Sequence, residues 1–199
     1  IIIYLHYMLS KIEAREKYKN LRKQLSESEI LDMSVKIANN ILKFKIWELQ
    51  TFHLFMTVSE NKEVDTKPIF DLLIGKGKEI IIPKININSN TLDSYIFDEK
   101  TVFNISSLGI PEPKNGILFY GKIDVVILPL LAYDLDGNRI GYGKGFYDKF
   151  ISNLKSEPLK IGVSYFSPEK SLEFNNHDIN LDYCITPNKI FSFSKKSYY

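Results

Sequence analysis

The chain is predicted to be a single α/β domain of three layers, a mostly parallel sheet with helices on both faces. Three observations carry this. Apolar strand-type runs at 51–58 and 80–82 flank a helix-patterned stretch at about 67–74, which is the layout of a βαβ unit with parallel strands. A third buried-strand run, 125–131, is followed by a glycine-rich turn and a helix over 146–154. Short strands at 161–165 and 183–185 extend the same sheet.

Size and composition agree. With 199 residues, 44% hydrophobic and 25% charged, the chain is long enough for one sizeable core and ordinary for a globular protein. A net charge of +2 is too small to point to a nucleic-acid partner. The single cysteine, Cys184, excludes an intrachain disulfide and argues against a cysteine-based zinc site. A cytoplasmic setting is expected, with no membrane span and a monomer or small homo-oligomer. Residues 1–8 are apolar but too short for a span and lack a signal peptide's basic start. The expected domain is 8–191, with 1–7 as upstream read-through (or an ordered first strand) and 192–199 as a frayed tail.

From the start, 11–23 is a charged helix whose Lys11, Arg15, Lys19 and Arg22 fall on one side, with a solvated helix face as the plain alternative. Ser26 and Glu29 form a capping box that opens a second helix, ending near Lys43, with Ile30, Met33, Ile37 and Ile41 at helical spacing. The third helix has Thr66 as N-cap and Pro68 in its first turn, and Gly75 and Gly77 end it. Pro83 is expected to stop the 80–82 strand. Residues 86–90 form a turn, 91–97 an exposed strand or hairpin, and 98–122 an irregular segment with a rigid loop at 109–113.

The chemistry concentrates at 138–148, Asn-Arg-Ile-Gly-Tyr-Gly-Lys-Gly-Phe-Tyr-Asp. A glycine-rich turn leading into a helix turns backbone N–H groups toward one point, which suits phosphate. The spacing is neither the dinucleotide fingerprint nor a Walker A loop. Such turns also serve only to join strand to helix. Against that, Arg139 and Lys144 bracket the turn with cations that architecture does not require. Asp148 stands where a carboxylate either holds Mg2+ beside a polyphosphate or simply suits a helix start.

Residues 128–148, Leu-Pro-Leu-Leu-Ala-Tyr-Asp-Leu-Asp-Gly-Asn-Arg-Ile-Gly-Tyr-Gly-Lys-Gly-Phe-Tyr-Asp, resemble the signature of the 5-formyltetrahydrofolate cyclo-ligase (methenyltetrahydrofolate synthetase) family. Four further segments resemble that family in the same order: Lys11-x-x-x-Arg15, Glu63-Val64-Asp65-Thr66, Gly109-Ile110-Pro111-Glu112-Pro113, and His177-Asp178-Ile179-x-x-Asp182. The resemblance implies ATP- and Mg2+-dependent closure of 5-formyltetrahydrofolate, possibly polyglutamylated, to 5,10-methenyltetrahydrofolate with release of ADP and phosphate. It implies phosphorylation of the formyl oxygen followed by attack of N10. Lys11, Arg15, Arg139 and the run Ile140, Gly141, Tyr142, Gly143, Lys144, Gly145, Phe146 and Tyr147 are then expected around ATP. Met56, Glu63, Phe146 and Tyr147 are expected around the folate, Asp148 and Asp178 around Mg2+, and Lys144, Arg139 and Glu63 in catalysis.

The run departs from the family pattern at two places. Phe146 stands where a tyrosine is common, and Tyr142 where a second cation is often found. Plainer readings remain for several residues. Glu63 also fits a helix-start carboxylate, Met56 the core, His177 loop ordering, Asp182 a cap, and Cys184 an inert strand position. Two other function classes remain open from the residues alone. One is a sugar-phosphate isomerase type with Glu63 as base, and the other a polyanion or RNA binder using the 11–23 helix. Arg139→Ala and Asp148→Asn are expected to remove most activity while leaving the fold nearly as stable.

Overall fold

A computed structural model describes residues 8–193. The elements in chain order are α1 (Lys11–Lys23), α2 (Glu27–Leu42), β1 (Thr51–Leu54), a short 3-10 turn (Ser59–Asn61), α3 (Lys67–Gly75), β2 (Glu79–Asn86), β3 (Thr91–Ile96), β4 (Phe103–Ile105), β5 (Pro111–Pro113) and β6 (Ile117–Leu118). They continue with β7 (Val125–Leu128), β8 (Ala132–Tyr133), β9 (Arg139–Ile140), α4 (Phe146–Ser152), β10 (Leu159–Val163), β11 (Tyr183–Ile185) and β12 (Ile190–Ser192). Eight strands form one sheet in the order β12-β11-β10-β7-β1-β2-β3-β6. The five central strands, β11 to β2, are parallel, and the flanking strands join antiparallel.

Alternation along the buried strands separates two cores. Phe52, Leu54, Val125, Ile127 and Ile161 face α2 and α3, meeting Ile37, Ile41, Ile69 and Leu73. Val126, Leu128 and Cys184 face the other way, onto Phe150 and Ile151 of α4. All four residues of β7 are fully buried, and each such side chain stabilises the fold by about 1.5–3 kcal/mol. The three-layer α/β expectation therefore holds, and β1-α3-β2 is the parallel unit expected.

Local chemistry explains the helix ends. Ser26 and Glu29 make the reciprocal capping box read from sequence. Ser10 and Glu13 make a second one that opens α1, which the sequence reading missed. Thr66 takes the N-cap position of α3, but its hydroxyl bonds Thr57 Oγ1 at 2.9 Å and caps nothing.

Several expectations change. Pro83 does not stop β2, which runs on to Asn86. The β1 ladder ends at Ile81, so beyond it β2 has only β3 beside it. The Phe97 N–H to Ile80 carbonyl bond makes Ile81 and Ile96 a non-hydrogen-bonded pair. Two residues on, Pro83 opposite Ser94 has the same phase, so its missing donor is not needed. The strand runs expected at 51–58 and 125–131 are shorter, ending at Leu54 and Leu128. The segment 98–122 is less irregular than expected. Pro111–Pro113 pairs with Phe103–Ile105 as a small hairpin, and Ile117–Leu118 adds to β3. Ser192 lies within β12 and Phe193 packs against the α4-side core. The remaining tail residues and the proposed read-through segment 1–7 lie outside the described residues.

The glycine run also does not leave the buried strand directly. A two-stranded hairpin, β8 with β9, stands between β7 and the loop. Its turn is built on Asp134, fully buried, whose carboxylate accepts N–H bonds from Asp136, Asn138 and Leu172 and one from the Asn138 amide. Asp134→Ala leaves those donors unsatisfied, and is expected to cost about 3–5 kcal/mol in urea unfolding.

Candidate active site

One cavity of about 380 Å³ lies at the carboxyl ends of the parallel strands. It is bordered by Phe55 and Met56, just past β1, and by Pro129, just past β7. The chain leaves β1 toward β2 on one side and later returns through β7 on the other, so this is the topological switch point of the sheet. Open α/β sheets bind ligands at that place. Every site residue expected from the sequence lines this cavity: Lys11, Arg15, Met56, Glu63, the run from Arg139 through Asp148, and Asp178.

The cationic wall combines α1 with the glycine run. Of the α1 cations expected on one side, Lys11 and Arg15 line the cavity and Arg22 is buried, while Lys19 stays exposed. Lys11 pairs with Asp178 at 2.5 Å, and Arg15 Nε donates to the Gly141 carbonyl at 3.0 Å. Gly143 has φ +96, and a Cβ there would stand 3.2 Å from Arg15 Cζ, so only glycine allows the arginine to lie across the loop. Lys144 is exposed and makes no ion pair among the described residues.

Arg139, whose side chain is only 5% exposed, donates through Nη2 to Asp148 Oδ1 at 2.7 Å. Burial pulls its pKa down, and Asp148 and Asp178 push it back up. Asp148 Oδ1 also accepts the Ile179 N–H at 3.1 Å, and Asp178 Oδ2 accepts the Asn175 N–H at 2.8 Å. The bonds given fall on one oxygen of each carboxylate. Two carboxylates with open oxygens beside a cationic wall suit Mg2+, which takes one or two carboxylates and completes its shell with other oxygens and water.

The opposite wall is apolar, with Met56, Ile85, Leu92, Leu108, Ile110 and Phe146, and carries one buried carboxylate deep in the pocket. Glu63 is 5% exposed and accepts the Val58 N–H at 2.9 Å. Burial holds its carboxyl above the usual range, while the Val58 N–H, the Arg22 guanidinium and the Tyr142 hydroxyl oppose that shift. Met56 meets both descriptions offered by the sequence, since it packs on the core and lines the cavity. Two buried polar atoms, Tyr147 Oη and Arg139 Nε, have no hydrogen-bond partner among the described residues. His177 is exposed and does not line the cavity. Asp182 instead holds Lys160, accepting its N–H at 2.8 Å and its ammonium at 3.1 Å. Cys184 is fully buried, and burial pushes its thiol pKa up, as an inert position requires.

Sequence reasoning missed three parts of this region. Glu112, 6% exposed, is a second buried carboxylate on the cavity wall and accepts the Ile85 N–H at 3.2 Å. His53 lies under Tyr147 with both ring nitrogens unpartnered, and burial pulls its pKa down to about 3, so it is neutral. Arg22, 4% exposed, reaches the loop through Tyr142. The helical spacing of Arg22 with Lys11 and Arg15, and the place of Glu112 in the 109–113 segment, were the sequence signals, and His53 had none.

Comparison with known proteins gives a consistent result. The family model of the 5-formyltetrahydrofolate cyclo-ligases matches residues 8–187. The chain is 27% identical to a probable 5-formyltetrahydrofolate cyclo-ligase of Schizosaccharomyces pombe, covering 92% of this chain and 97% of that one. It is 27% identical to the 5-formyltetrahydrofolate cyclo-ligase of Escherichia coli K12, covering 86% and 97%. The solution NMR structure of Aquifex aeolicus 5,10-methenyltetrahydrofolate synthetase superposes with a TM-score of 0.79 at 30% identity over 94% of each chain. The five motifs, the cavity that gathers them and these matches agree: this chain belongs to the 5-formyltetrahydrofolate cyclo-ligase family.

Proposed function

We propose that this enzyme closes 5-formyltetrahydrofolate to 5,10-methenyltetrahydrofolate at the expense of ATP, in the cavity at the end of β1 and β7. The observation that carries the reading is the division of that cavity. Lys11, Arg15, Arg139, Lys144 and the glycine backbone form one wall, and an apolar surface with buried Glu63 forms the other. The first suits a triphosphate and the second a flat heterocycle with N–H donors.

The formamide oxygen is a poor leaving group. Transfer of the γ-phosphoryl group to it releases ADP and makes that oxygen the oxygen of a phosphate. N10 then attacks the same carbon, a C–N bond forms, the C–O bond breaks, and phosphate departs. N10 loses its proton and the cyclic product is the methenyl cation. No step needs a covalent enzyme nucleophile, so the protein acts by positioning and by offsetting charge. Lys11, Arg15 and Arg139 hold the phosphates, and Lys144 neutralises charge on the transferring group. Mg2+ held by Asp148 and Asp178 supplies further neutralisation when bound. Tyr147 Oη and Arg139 Nε, buried and unpartnered, offer hydrogen bonds for a substrate to complete.

The test is an absorbance assay. Purified protein given 5-formyltetrahydrofolate and Mg·ATP should accumulate methenyltetrahydrofolate, with one ADP released per product. Product without ATP, or neither product nor ATP consumption, refutes the reading.

A further inference from the structure

Arg22 lies outside the phosphate set and is almost fully buried. Its two terminal nitrogens are fixed separately: Nη2 donates to the Leu130 carbonyl and Nη1 to the Tyr142 hydroxyl, both at 2.6 Å. A guanidinium only donates, so the Tyr142 oxygen must accept there. The single phenolic proton then has to point elsewhere. The Glu63 carboxylate stands beside it, close enough for each group to shift the other's titration. Tyr142 and Glu63 border the same cavity, so Arg22 fixes the phenol on the cavity that holds the carboxylate, although the Tyr142 backbone belongs to the phosphate loop.

We propose that Arg22 and Tyr142 are positioning residues for Glu63, with the guanidinium orienting the phenol so that its proton keeps the carboxylate an acceptor for the folate ring's N–H groups. This rests on the cyclo-ligase reading, with Glu63 on the folate. A lone carboxylate at that depth favours its neutral form, and a protonated Glu63 offers one acceptor fewer. The groups that face it are Arg22 from α1, Tyr142 from the loop, Tyr147 from α4 and the Val58 N–H past β1. Arg22 and the two N–H or O–H donors favour the charged form, and burial opposes it. Tyr165, from beyond β10, donates to the Glu63 backbone carbonyl at 2.7 Å and so fixes the main chain without touching the carboxylate.

The experiment is calorimetric titration of the protein with 5-formyltetrahydrofolate, without nucleotide, between about pH 6 and 9. Wild type is compared with Tyr142→Phe and Arg22→Met. Affinity falls as pH drops through the Glu63 titration. In Tyr142→Phe the midpoint of that fall moves up by about one pH unit, so binding weakens about tenfold on the acid side of the wild-type midpoint and recovers toward wild type on the alkaline side. Arg22→Met moves it the same way, and if that variant melts early Tyr142→Phe alone carries the test. A midpoint unchanged from wild type, or a loss equal at every pH, means that Tyr142 only fills space and overturns the proposal. Wild type that binds no folate at any pH overturns the cyclo-ligase reading itself, and this proposal with it.

Discussion

Lys144→Met is expected to lower kcat/KM for the ATP-dependent closure by about 100- to 1,000-fold, while the melting temperature stays within about 2 °C of wild type. The two halves separate cleanly at this residue. Lys144 is exposed in the free protein and makes no ion pair among the described residues, so folding does not depend on its charge. It sits between Gly143 and Gly145, both in left-handed backbone, on the rim of the cavity that also holds Arg15 and Arg139. A cation in that position has most to gain when charge spreads over the transferring phosphoryl group. Steady-state kinetics should show the loss mainly in kcat, with a smaller change in KM for ATP. A variant within about threefold of wild type would place Lys144 outside the transition state and leave Lys11, Arg15 and Arg139 as the phosphate cations.

The sequence was most informative where local rules act alone. The α1 bounds and the α2 start and capping box could be read directly, because apolar spacing and caps are properties of a few neighbouring residues. The parallel core was also legible, since a strand buried on both faces, such as β7, reads as an unbroken apolar run. What failed depended on pairing. Pro83 reads as a stop, and only the register with Ser94 shows why it is tolerated. The strands β4, β5, β6, β8 and β9 are two or three residues each, too short for a period to register.

The same division applies to the site. Phosphate-type residues cluster in motifs and were found by motif. Glu112 and Arg22 enter the cavity region from a hairpin and a helix that only the fold brings there, and the motif and the helical spacing that contain them do not say what either side chain meets. Tyr142 illustrates the limit best. The sequence marks it as a departure from the family pattern, but only the structure shows it bonded to Arg22 on the cavity it shares with Glu63.

The burial of Arg139 changes the stability half of an expectation drawn from sequence. A surface arginine could be removed, or its partner neutralised, at little cost to folding. Here the guanidinium side chain is 5% exposed and its Nη2 rests on Asp148 at 2.7 Å. Asp148→Asn keeps the shape but leaves the buried cation without its nearest counter-charge, and Asp178 compensates only in part. The expected cost is about 2–4 kcal/mol in chemical denaturation. Arg139→Met alone should cost less, because the stranded carboxylate is 27% exposed and can be hydrated. The double variant Arg139→Met/Asp148→Asn removes both charges, and should regain about half or more of the stability that Asp148→Asn loses. Activity follows a different pattern. Each single variant and the double variant should lose kcat/KM by about 1,000-fold or more, since the proposed mechanism has the arginine hold phosphate and the aspartate hold the metal. Stability restored without activity identifies the pair as site chemistry that the fold must accommodate. If the double variant is the least stable of the three, Arg139 and Asp148 hold the loop to α4 independently, and their pairing is architecture first.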